Sequence, residues 1–260
     1  PGQYDEEIGE LVSTINDMSV KIGQAEKTQT EFISSVSHEL RTPLTAISGW
    51  GETLLTSENL DAETRRGVVI IAREAKRLTG MVEELLEFTR MQDGRFTLHV
   101  ETADILAEFE DTVFMYGNRL KQEGICLHYD GCEEDIPEIP CDVARMRQVF
   151  LNILDNAAKH GGEGKRIDAS IAHEDRFVVI RIRDYGPGIP EEELPRVKLK
   201  FYKGSSKARG SGIGLAVCDE IIRLHNGTLA IGNAKGGGCI VTIRLPIVPH
   251  RAHHEKEKNR

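Results

Sequence analysis

The sequence of 260 residues lacks several features that would assign it to common classes of protein. It has no apolar run long enough to span a membrane and no secretory signal peptide. Its five cysteines form no CxxC pair, so we expect reduced thiols, not a disulfide framework or a zinc site. The net charge is −9 and no basic patch is interleaved with aromatic residues, so nucleic acid is not an expected partner.

A heptad pattern of apolar residues is present in the first third of the chain. Two segments with alternating spacings of three and four predict an antiparallel helical hairpin, joined by a polar loop at 57–61. The seam residues are Ile33, Val36, Leu40, Pro43, Ile47, Trp50 and Leu54, then Thr64, Val68, Ile71, Ala75, Leu78, Val82, Leu85 and Thr89. One hairpin leaves apolar surface uncovered, so we expect a homodimer with a four-helix bundle. The alternative is a hairpin packed on the rest of its own chain.

One histidine of the first helix lies off this seam. His38 falls at heptad position f, facing solvent, and Thr42 follows one turn later on the same face. Alone, such a residue is most simply a solvated surface histidine. Its context, Ser-Ser-Val-Ser-His-Glu-Leu-Arg-Thr-Pro-Leu at 34–44, resembles the phosphoacceptor box of sensor histidine kinases. The resemblance implies that His38 accepts a phosphoryl group, with catalytic roles for Glu39 and Thr42.

From about Phe96 the heptads stop and short strands alternate with helices, which predicts an α/β sandwich. Strands are expected over Phe96–Val100, Ile125–Tyr129, Ile167–Ala172, Phe177–Arg183, Thr228–Asn233 and Cys239–Leu245. Helices are expected from the cap Asp104 to about Glu123, from the cap Asp142 to about His160, and over Ser211–His225. We expect the last helix to end at Gly227 in a left-handed conformation.

A polar motif lies on the second of these helices. Asn152 and Asn156 are four residues apart, and Lys159 and His160 fall on the same helical face. Amide oxygens suit Mg²⁺, and an ammonium group suits phosphate. The alternative interpretation is a polar stripe on a surface helix.

Two glycine motifs follow. Asp184-Tyr-Gly186-Pro-Gly188 comes at the end of a strand, where glycines allow close approach of a ligand and the carboxylate can accept from an exocyclic amine. Residues 210–215, Gly-Ser-Gly-Ile-Gly-Leu, open a helix and can present free amides to phosphate. This second motif is neither a Walker A loop nor a Rossmann fingerprint. Each motif alone is also compatible with an ordinary turn.

Together the three motifs resemble the N, G1 and G2 boxes of the Bergerat-type nucleotide-binding domain of histidine kinases, Hsp90-like chaperones, MutL proteins and type II topoisomerases. The resemblance implies ATP and Mg²⁺, with Asn152 and Asn156 on the metal. Lys159 would contact phosphate, Asp184 would contact adenine, and 190–209 would be a mobile lid. The other residues implied at the site are His160, Gly186, Gly188, Tyr202, Lys207, Arg209, Gly210, Gly212, Gly214 and Leu215.

Two departures from the family pattern are visible. His160 stands where the family usually has an aromatic residue, which leaves its contact with nucleotide open. The lid sequence Leu-Lys-Phe-Tyr at 199–202 keeps the second aromatic of the usual Phe-x-Pro-Phe pattern and lacks the proline.

The resemblance implies four parts: the end of a HAMP signalling helix (1–27), a dimerisation and phosphotransfer domain (28–94), a catalytic ATP-binding domain (95–248) and a disordered tail (249–260). It implies a protein-histidine kinase that autophosphorylates on His38 and passes the phosphoryl group to an aspartate of a response regulator. The pattern from His38 to Thr42 is that of members that also dephosphorylate their regulator. The alternatives are a chaperone or repair ATPase of the same superfamily, and a kinase-dead scaffold.

The chain begins at Pro1 and not at methionine, so we expect a fragment of a longer protein. Residues 5–22 resemble the second helix of a HAMP module, which normally follows a membrane span; an ordinary amphipathic helix is the alternative. We therefore expect the cytoplasmic portion of a bacterial sensor, anchored in the inner membrane through a segment upstream of Pro1.

Overall fold

The computed structural model describes residues 2–57, 59–92, 96–132, 136–161, 164–205 and 211–247. The chain divides into two compact units between Thr97 and Leu98. No helix within the described ranges combines the length and the apolar character that crossing a membrane requires. The tail expected to be disordered at 249–260 lies outside the described residues, as do the site residues Lys207, Arg209 and Gly210.

The first unit is a helical hairpin of α1 (Gly2–Leu55) and α2 (Ala62–Gln92). The helix predicted over 5–22 is thus continuous with the one that carries His38. Asp61 caps α2, because its carboxylate accepts from the Thr64 backbone N–H at 2.9 Å and from the Thr64 hydroxyl at 2.6 Å. Arg65 closes the loop by donating to the backbone carbonyls of Leu55, the last residue of α1, at 3.0 Å and of Ser57, in the loop, at 2.8 Å.

The face of α1 that meets α2 differs from the predicted seam. A Cβ at the buried Gly51 would lie 2.9 Å from the Cβ of Ala72, so small residues set the distance between the two helices. Four large residues of the predicted seam remain between 46% and 69% exposed: Leu40, Ile47, Trp50 and Leu54. On α2, three predicted seam positions are buried: Ala75, Val82 and Thr89. The hairpin therefore keeps an uncovered apolar stripe on α1.

The second unit is an α/β sandwich, as predicted. Its strands are β1 (Glu101–Ala103), β2 (Cys126–Asp130), β3 (Ile139–Cys141), β4 (Arg166–Glu174), β5 (Phe177–Asp184), β6 (Thr228–Asn233) and β7 (Cys239–Pro246). Its helices are α3 (Ile105–Gln122), α4 (Val143–Gly161) and α5 (Gly214–Leu224). The five-stranded sheet has the order β2-β4-β5-β7-β6, with β2 and β4 parallel and the other neighbours antiparallel. Strands β1 and β3 form a separate antiparallel pair.

The register of the sheet places its apolar residues on the face that the helices cover. Ala169, Ile182 and Val241 are cross-strand neighbours on β4, β5 and β7, and all are buried. Alternate residues of a strand share a face, so Asp184 follows Ile182 on this covered side. Asp184 therefore lies at the edge of the hydrophobic core, where β5 ends.

A buried histidine ties α4 to α5. His225 accepts from the backbone N–H of Asp142 at 2.9 Å through Nε2 and donates through Nδ1 to the carbonyl of Ile221 at 2.8 Å. The Asp142 carboxylate caps α4, as predicted, by accepting from the Arg145 N–H at 3.1 Å, and it also accepts from the His99 N–H at 2.8 Å. Burial lowers the pKa of His225, in agreement with a neutral ring that accepts at Nε2.

Most predicted strands and helices of this unit are confirmed to within two residues, but the strand predicted over Phe96–Val100 is wrong. These residues have no regular structure, and β1 begins at Glu101. Strand β3 was also not predicted from the sequence. Both short strands have only three residues, too few for an alternating pattern, and their pairing with each other is a long-range feature.

The ends of α5 also differ from the prediction. The helix begins at Gly214 and not at Ser211, because Gly212 has a φ of +76°. After the helix, the left-handed residue is Asn226, with a φ of 58°, and not Gly227. Gly227 is needed for a different reason, since a Cβ there would lie 2.6 Å from a backbone carbonyl oxygen of β7.

Candidate functional site

The first unit presents the predicted phosphoacceptor residues to solvent. His38, Glu39 and Thr42 are all exposed, and their side chains form no hydrogen bond with the described residues. The Thr45 hydroxyl, by contrast, donates to the Arg41 carbonyl at 2.9 Å. The hydroxyl of Thr42 is therefore available to an external group.

Pro43 lies inside α1, directly after Thr42. A proline has no N–H, so the carbonyl of Glu39 lacks its usual helical hydrogen bond, and the ring crowds that carbonyl. The helix is therefore locally weakened in the turn that follows His38.

In the second unit, α4 brings the first and third motifs together. Asn152 is half-buried and donates through Nδ2 to the carbonyl of Gly214 at 3.4 Å. A Cβ on Gly214 would lie 3.2 Å from Asn152 Oδ1, so glycine there lets the first turn of α5 approach α4 closely. Asn156 is also half-buried, and its side chain makes no hydrogen bond with the described residues. Its amide therefore remains available for a ligand.

The C-terminal end of α4 brings in the second motif. Asp184 is 6% exposed, and its Oδ1 accepts from the N–H of Gly186 at 2.9 Å and of Cys239 at 3.2 Å. A Cβ on Gly161 would lie only 2.2 Å from Asp184 Cβ, and a Cβ on Gly186 only 2.5 Å from Gly161 Cα. Glycine at both positions thus permits the contact. Oδ1 is held in place by two amides, which leaves Oδ2 as the acceptor for a ligand.

The loop after Asp184 is clamped by Asn233 of β6. Asn233 accepts from the Ile189 N–H at 2.8 Å and donates to the Ile189 carbonyl at 2.6 Å. Gly188 has a φ of +78°, and a Cβ there would lie 2.8 Å from Asn233 Oδ1. Gly238 approaches from the β6–β7 turn, where a Cβ would lie 1.9 Å from the Asp184 carbonyl oxygen. The backbone around the predicted adenine contact is therefore fixed from two sides.

The described part of the predicted lid, 190–205, is anchored to its surroundings. The Glu193 carboxylate accepts from the Ser205 N–H at 3.0 Å, and the Phe201 N–H donates to the Gly212 carbonyl at 2.9 Å. Phe201 has a φ of 60°, an uncommon conformation for a residue with a side chain. The guanidinium carbon of Arg196 lies over the ring of Tyr202, 4.7 Å from the ring centroid.

Helix α5 begins with free backbone amides. The Ile213 N–H donates to the Ser211 hydroxyl at 3.1 Å, and the first intrahelical bond from this end is donated by Val217. The amides from Gly214 to Ala216, including that of Leu215, have no helical acceptor, and the helix dipole makes this end positive. The end is suited to phosphate oxygens.

Charged groups on the last two turns of α4 complete the site. Lys159 forms an ion pair with Asp155, one turn earlier. Desolvation, followed by the positive charge of Lys159, lowers the pKa of His160. The ring of His160 is therefore neutral at pH 7, and its backbone carbonyl oxygen would lie 2.9 Å from a Cβ on Gly186.

Sequence reasoning missed five residues that shape this site. They are Asp155, Gly161, Asn233, Gly238 and Tyr116, whose hydroxyl donates to Asp155. Asp155 and Gly161 are within or next to the first motif, so the sequence could have pointed to them. Tyr116, Asn233 and Gly238 reach the site only through the packing of α3 and the β6–β7 hairpin, which no local pattern predicts.

Comparison with known families assigns both units. Residues 141–249 match the family of histidine kinase-, DNA gyrase B- and HSP90-like ATPases, so the second unit is an ATPase domain of this class. Residues 28–94, which include His38, match the His Kinase A phospho-acceptor domain. The chain therefore belongs to the sensor histidine kinases of two-component systems.

Individual relatives agree with this assignment. The chain is 33% identical over 238 residues to the signal transduction histidine-protein kinase AfsQ2 of Streptomyces coelicolor, covering 86% of this chain and 43% of that protein. It is 30% identical over 241 residues to the sensor protein SrrB of Staphylococcus aureus, covering 91% and 41%. The chain thus spans less than half the length of these relatives. Full-length ShkA, solved in complex with AMPPNP, is similar with a TM-score of 0.73 and 26% identity, over 84% of this chain and 46% of that one.

Proposed function

We propose that this chain is the core of an ATP-dependent protein-histidine kinase. The observation that carries the proposal is the combination of its two units. One presents an exposed histidine, His38, on a helix. The other gathers Asn152, Asp184 and the first turn of α5 around α4. An acceptor on one unit and a nucleotide site on the other are the two components of a phosphoryl-transfer enzyme.

The geometry of the second unit supports an orientation for ATP. Oδ2 of Asp184 accepts from the exocyclic amine of adenine at one end of α4. The free amides of α5 receive the phosphates towards the other end, and the long side chain of Lys159, two residues before Gly161, extends its ammonium towards them. From Asn152 to Gly161, α4 advances about 13 Å, which leaves room for an extended nucleotide.

The residues present also fit a magnesium ion. The side-chain oxygens of Asn152 and Asn156 are hard donors on one helical face, and Asn156 makes no hydrogen bond with the described residues. Two neutral oxygens are an incomplete shell, which phosphate oxygens and water complete. When bound, Mg²⁺ supplies charge neutralisation of the phosphates.

For the transfer, a ring nitrogen of His38 attacks the γ-phosphorus in line. The N–P bond forms as the bond from the γ-phosphorus to the β–γ bridging oxygen breaks, and ADP leaves. The proton of the other ring nitrogen passes to the Glu39 carboxylate. Positioning and electrostatics supply most of the rate, as in phosphoryl transfer generally.

The uncovered stripe on α1 supports a homodimer. Leu40, Ile47, Trp50 and Leu54 are exposed, and Ile71 of α2 borders the same apolar recess. A second hairpin placed on this stripe closes a four-helix bundle. Light scattering on the wild type and on a Trp50→Glu variant tests this assignment. We expect a dimer for the wild type and a monomer for the variant, and a monomeric wild type would contradict it.

The downstream partner follows from the family. We propose that phosphorylated His38 donates its phosphoryl group to an aspartate of a response regulator, because the chain belongs to the two-component kinases. Thr42 has an available hydroxyl one turn beyond His38, which suits it to orient a water molecule beside the regulator's phosphoaspartate. We therefore propose that Thr42 takes part in the phosphatase reaction.

The N-terminal helix supports a signalling role upstream of His38. Ile8, Leu11, Ile15, Met18 and Ile22 are each more than half exposed and repeat every three or four residues. We propose that they form a parallel seam with the second copy, as the end of a HAMP-type relay in a membrane-anchored parent. Oxidative cross-linking of an Ile15→Cys variant tests the seam, and absence of a cross-linked dimer would contradict it.

Labelling with two forms of ATP tests the proposed activity. With γ-labelled ATP we expect acid-labile, base-stable label on the protein, because a phosphoramidate N–P bond hydrolyses in acid. With α-labelled ATP we expect none. Release of labelled phosphate without protein label would favour a chaperone-type or repair-type ATPase. Nucleotide binding without either reaction would favour a kinase-dead scaffold.

A further inference from the structure

The proposed phosphate contact, Lys159, already has a partner inside the protein. Its ammonium pairs with one carboxylate oxygen of Asp155. The other oxygen, Oδ1, accepts from the hydroxyl of Tyr116 on α3 at 3.1 Å, and Arg119 Nη2 lies 3.9 Å from the same oxygen. Burial, and next the charge of Asp155, raises the pKa of Tyr116, so the phenol stays protonated and donates. Asp155 is thus fixed from the neighbouring helix.

Helix geometry places Lys159 within reach of two partners, the Asp155 carboxylate and the phosphates of a bound nucleotide. Successive residues are about 100° apart around a helix axis. Viewed along α4, Lys159 therefore lies between Asn152 and Asp155, roughly 20° from the first and 40° from the second. Rotation about its side-chain bonds is enough to move the ammonium between the Asp155 carboxylate and the phosphate side of the site. Lys159 is about half exposed, so the exchange needs no rearrangement of the core.

We propose that Asp155 is a positioning residue that holds Lys159 before the nucleotide binds and takes it back as ADP leaves. The inference rests on the proposed function, because it needs Lys159 to contact phosphate. Nucleotide binding must exchange the carboxylate partner of Lys159 for a phosphate oxygen. Asp155 thereby limits the affinity for ADP and speeds its release, so that the site can be reloaded with ATP.

The expected size of the effect follows from the pair itself. Ion pairs one helical turn apart at a partly exposed site contribute little, which corresponds to about a twofold change in an equilibrium constant. Removing the carboxylate charge also removes its repulsion of the phosphates. Both effects favour the bound nucleotide. They require phosphate, so adenosine binding is not expected to change.

The experiment compares ADP and adenosine affinities of the full chain by calorimetry. Asp155→Asn keeps an acceptor for Tyr116 and removes the charge, and we expect ADP to bind at least about twofold tighter, with slower release and unchanged adenosine affinity. Asp155→Glu keeps the charge and should bind ADP with the affinity of the wild type. Glu108→Gln is the matched control, because Glu108 pairs with Arg147 between the same two helices. It should leave ADP affinity unchanged.

A double variant separates positioning from simple charge repulsion. In a Lys159→Gln background, Asp155→Asn should change ADP affinity by less than it does in the wild type. An equal change in both backgrounds would overturn the inference, as would unchanged or weaker ADP binding by Asp155→Asn. Failure of the wild type to bind ADP at all would overturn the proposed function as well. Melting curves show whether each variant is folded. If Asp155→Asn does not fold, the ADP affinity of Asp155→Glu is the measurement that remains.

Discussion

A methyl group added at Gly161 tests whether the packing of α4 against Asp184 forms the adenine contact. The new Cβ of Gly161→Ala would lie 2.2 Å from Asp184 Cβ and 2.6 Å from its Oδ1. Ordinary contact starts at 3.4 Å, so the first distance is short by 1.2 Å and Asp184 or the end of α4 must move. Overpacking of this kind costs about 1–3 kcal/mol. We expect the melting temperature of the ATP-binding domain to fall by about 3–9 °C.

The same variant should also lose nucleotide affinity. Displacement of Asp184 breaks the hydrogen bonds that hold Oδ1 and misplaces Oδ2. A hydrogen bond to a charged group contributes about 1.5–3 kcal/mol, so ATP should bind roughly tenfold or more weakly. The assay is calorimetric titration of the full chain with a non-hydrolysable ATP analogue. Gly117→Ala on α3 is the control, because its Cβ would meet Leu127 at an ordinary 3.5 Å. Equal stability and affinity in the two variants would refute the reasoning.

Three further predictions concern pH, the lid and the phosphatase reaction. Burial lowers the pKa of His225, so the stability that its neutral ring contributes is fully present above about pH 6.5 and is lost as the pH falls below it; in His225→Gln, calorimetry should show a smaller loss of stability between pH 7.5 and 5.5. Asn233→Ala removes both hydrogen bonds to Ile189, and we expect faster amide exchange at Gly188 and Ile189 together with several-fold weaker ATP binding. Thr42→Ala should keep autophosphorylation within about twofold and slow dephosphorylation of the regulator about tenfold or more, and equal decay rates would exclude this role for its hydroxyl.

The strands and helices could be predicted where the chain carries a periodic signal of its own. The pairs β4–β5 and β6–β7 alternate over enough residues to be recognised, and Asp104 caps α3 as expected, accepting from the Ala107 N–H at 3.0 Å. The pattern fails where conformation depends on a distant contact. β1 exists because it pairs with β3, about forty residues away, and neither is long enough to show a period.

The helical hairpin shows a second limit of prediction from sequence. The three-four spacing on α1 correctly indicated a helix with an apolar stripe. It could not say which partner covers the stripe, because a hairpin and a dimer both need such a face. Gly51 and Ala72 decide this, since their small side chains let α1 and α2 approach on a different face.

The sequence predicts which residues of the candidate site would contact a ligand, but not which residues hold them in place. Asn156 and Asp184 could be proposed from spacing, because amides and carboxylates at such places suit metal and adenine. Glycines that permit close packing, such as Gly161, carry no chemical signal, and their role is visible only when a Cβ is placed in the fold. The partner of Lys159 could be guessed from helical spacing, but the support of Asp155 by Tyr116 could not.

Site-resolved labelling with γ-labelled ATP tests the central claim most directly. Wild type, His38→Gln and Asn156→Ala are incubated with Mg²⁺ and γ-labelled ATP, the acid-labile label is followed with time, and nucleotide affinity is measured in parallel. We predict label on the wild type only, with nucleotide affinity retained by His38→Gln and lost by Asn156→Ala. His38 is exposed and makes no hydrogen bond with the described residues, so its replacement should leave the fold unchanged. Acid-labile label that persists on His38→Gln would contradict the account.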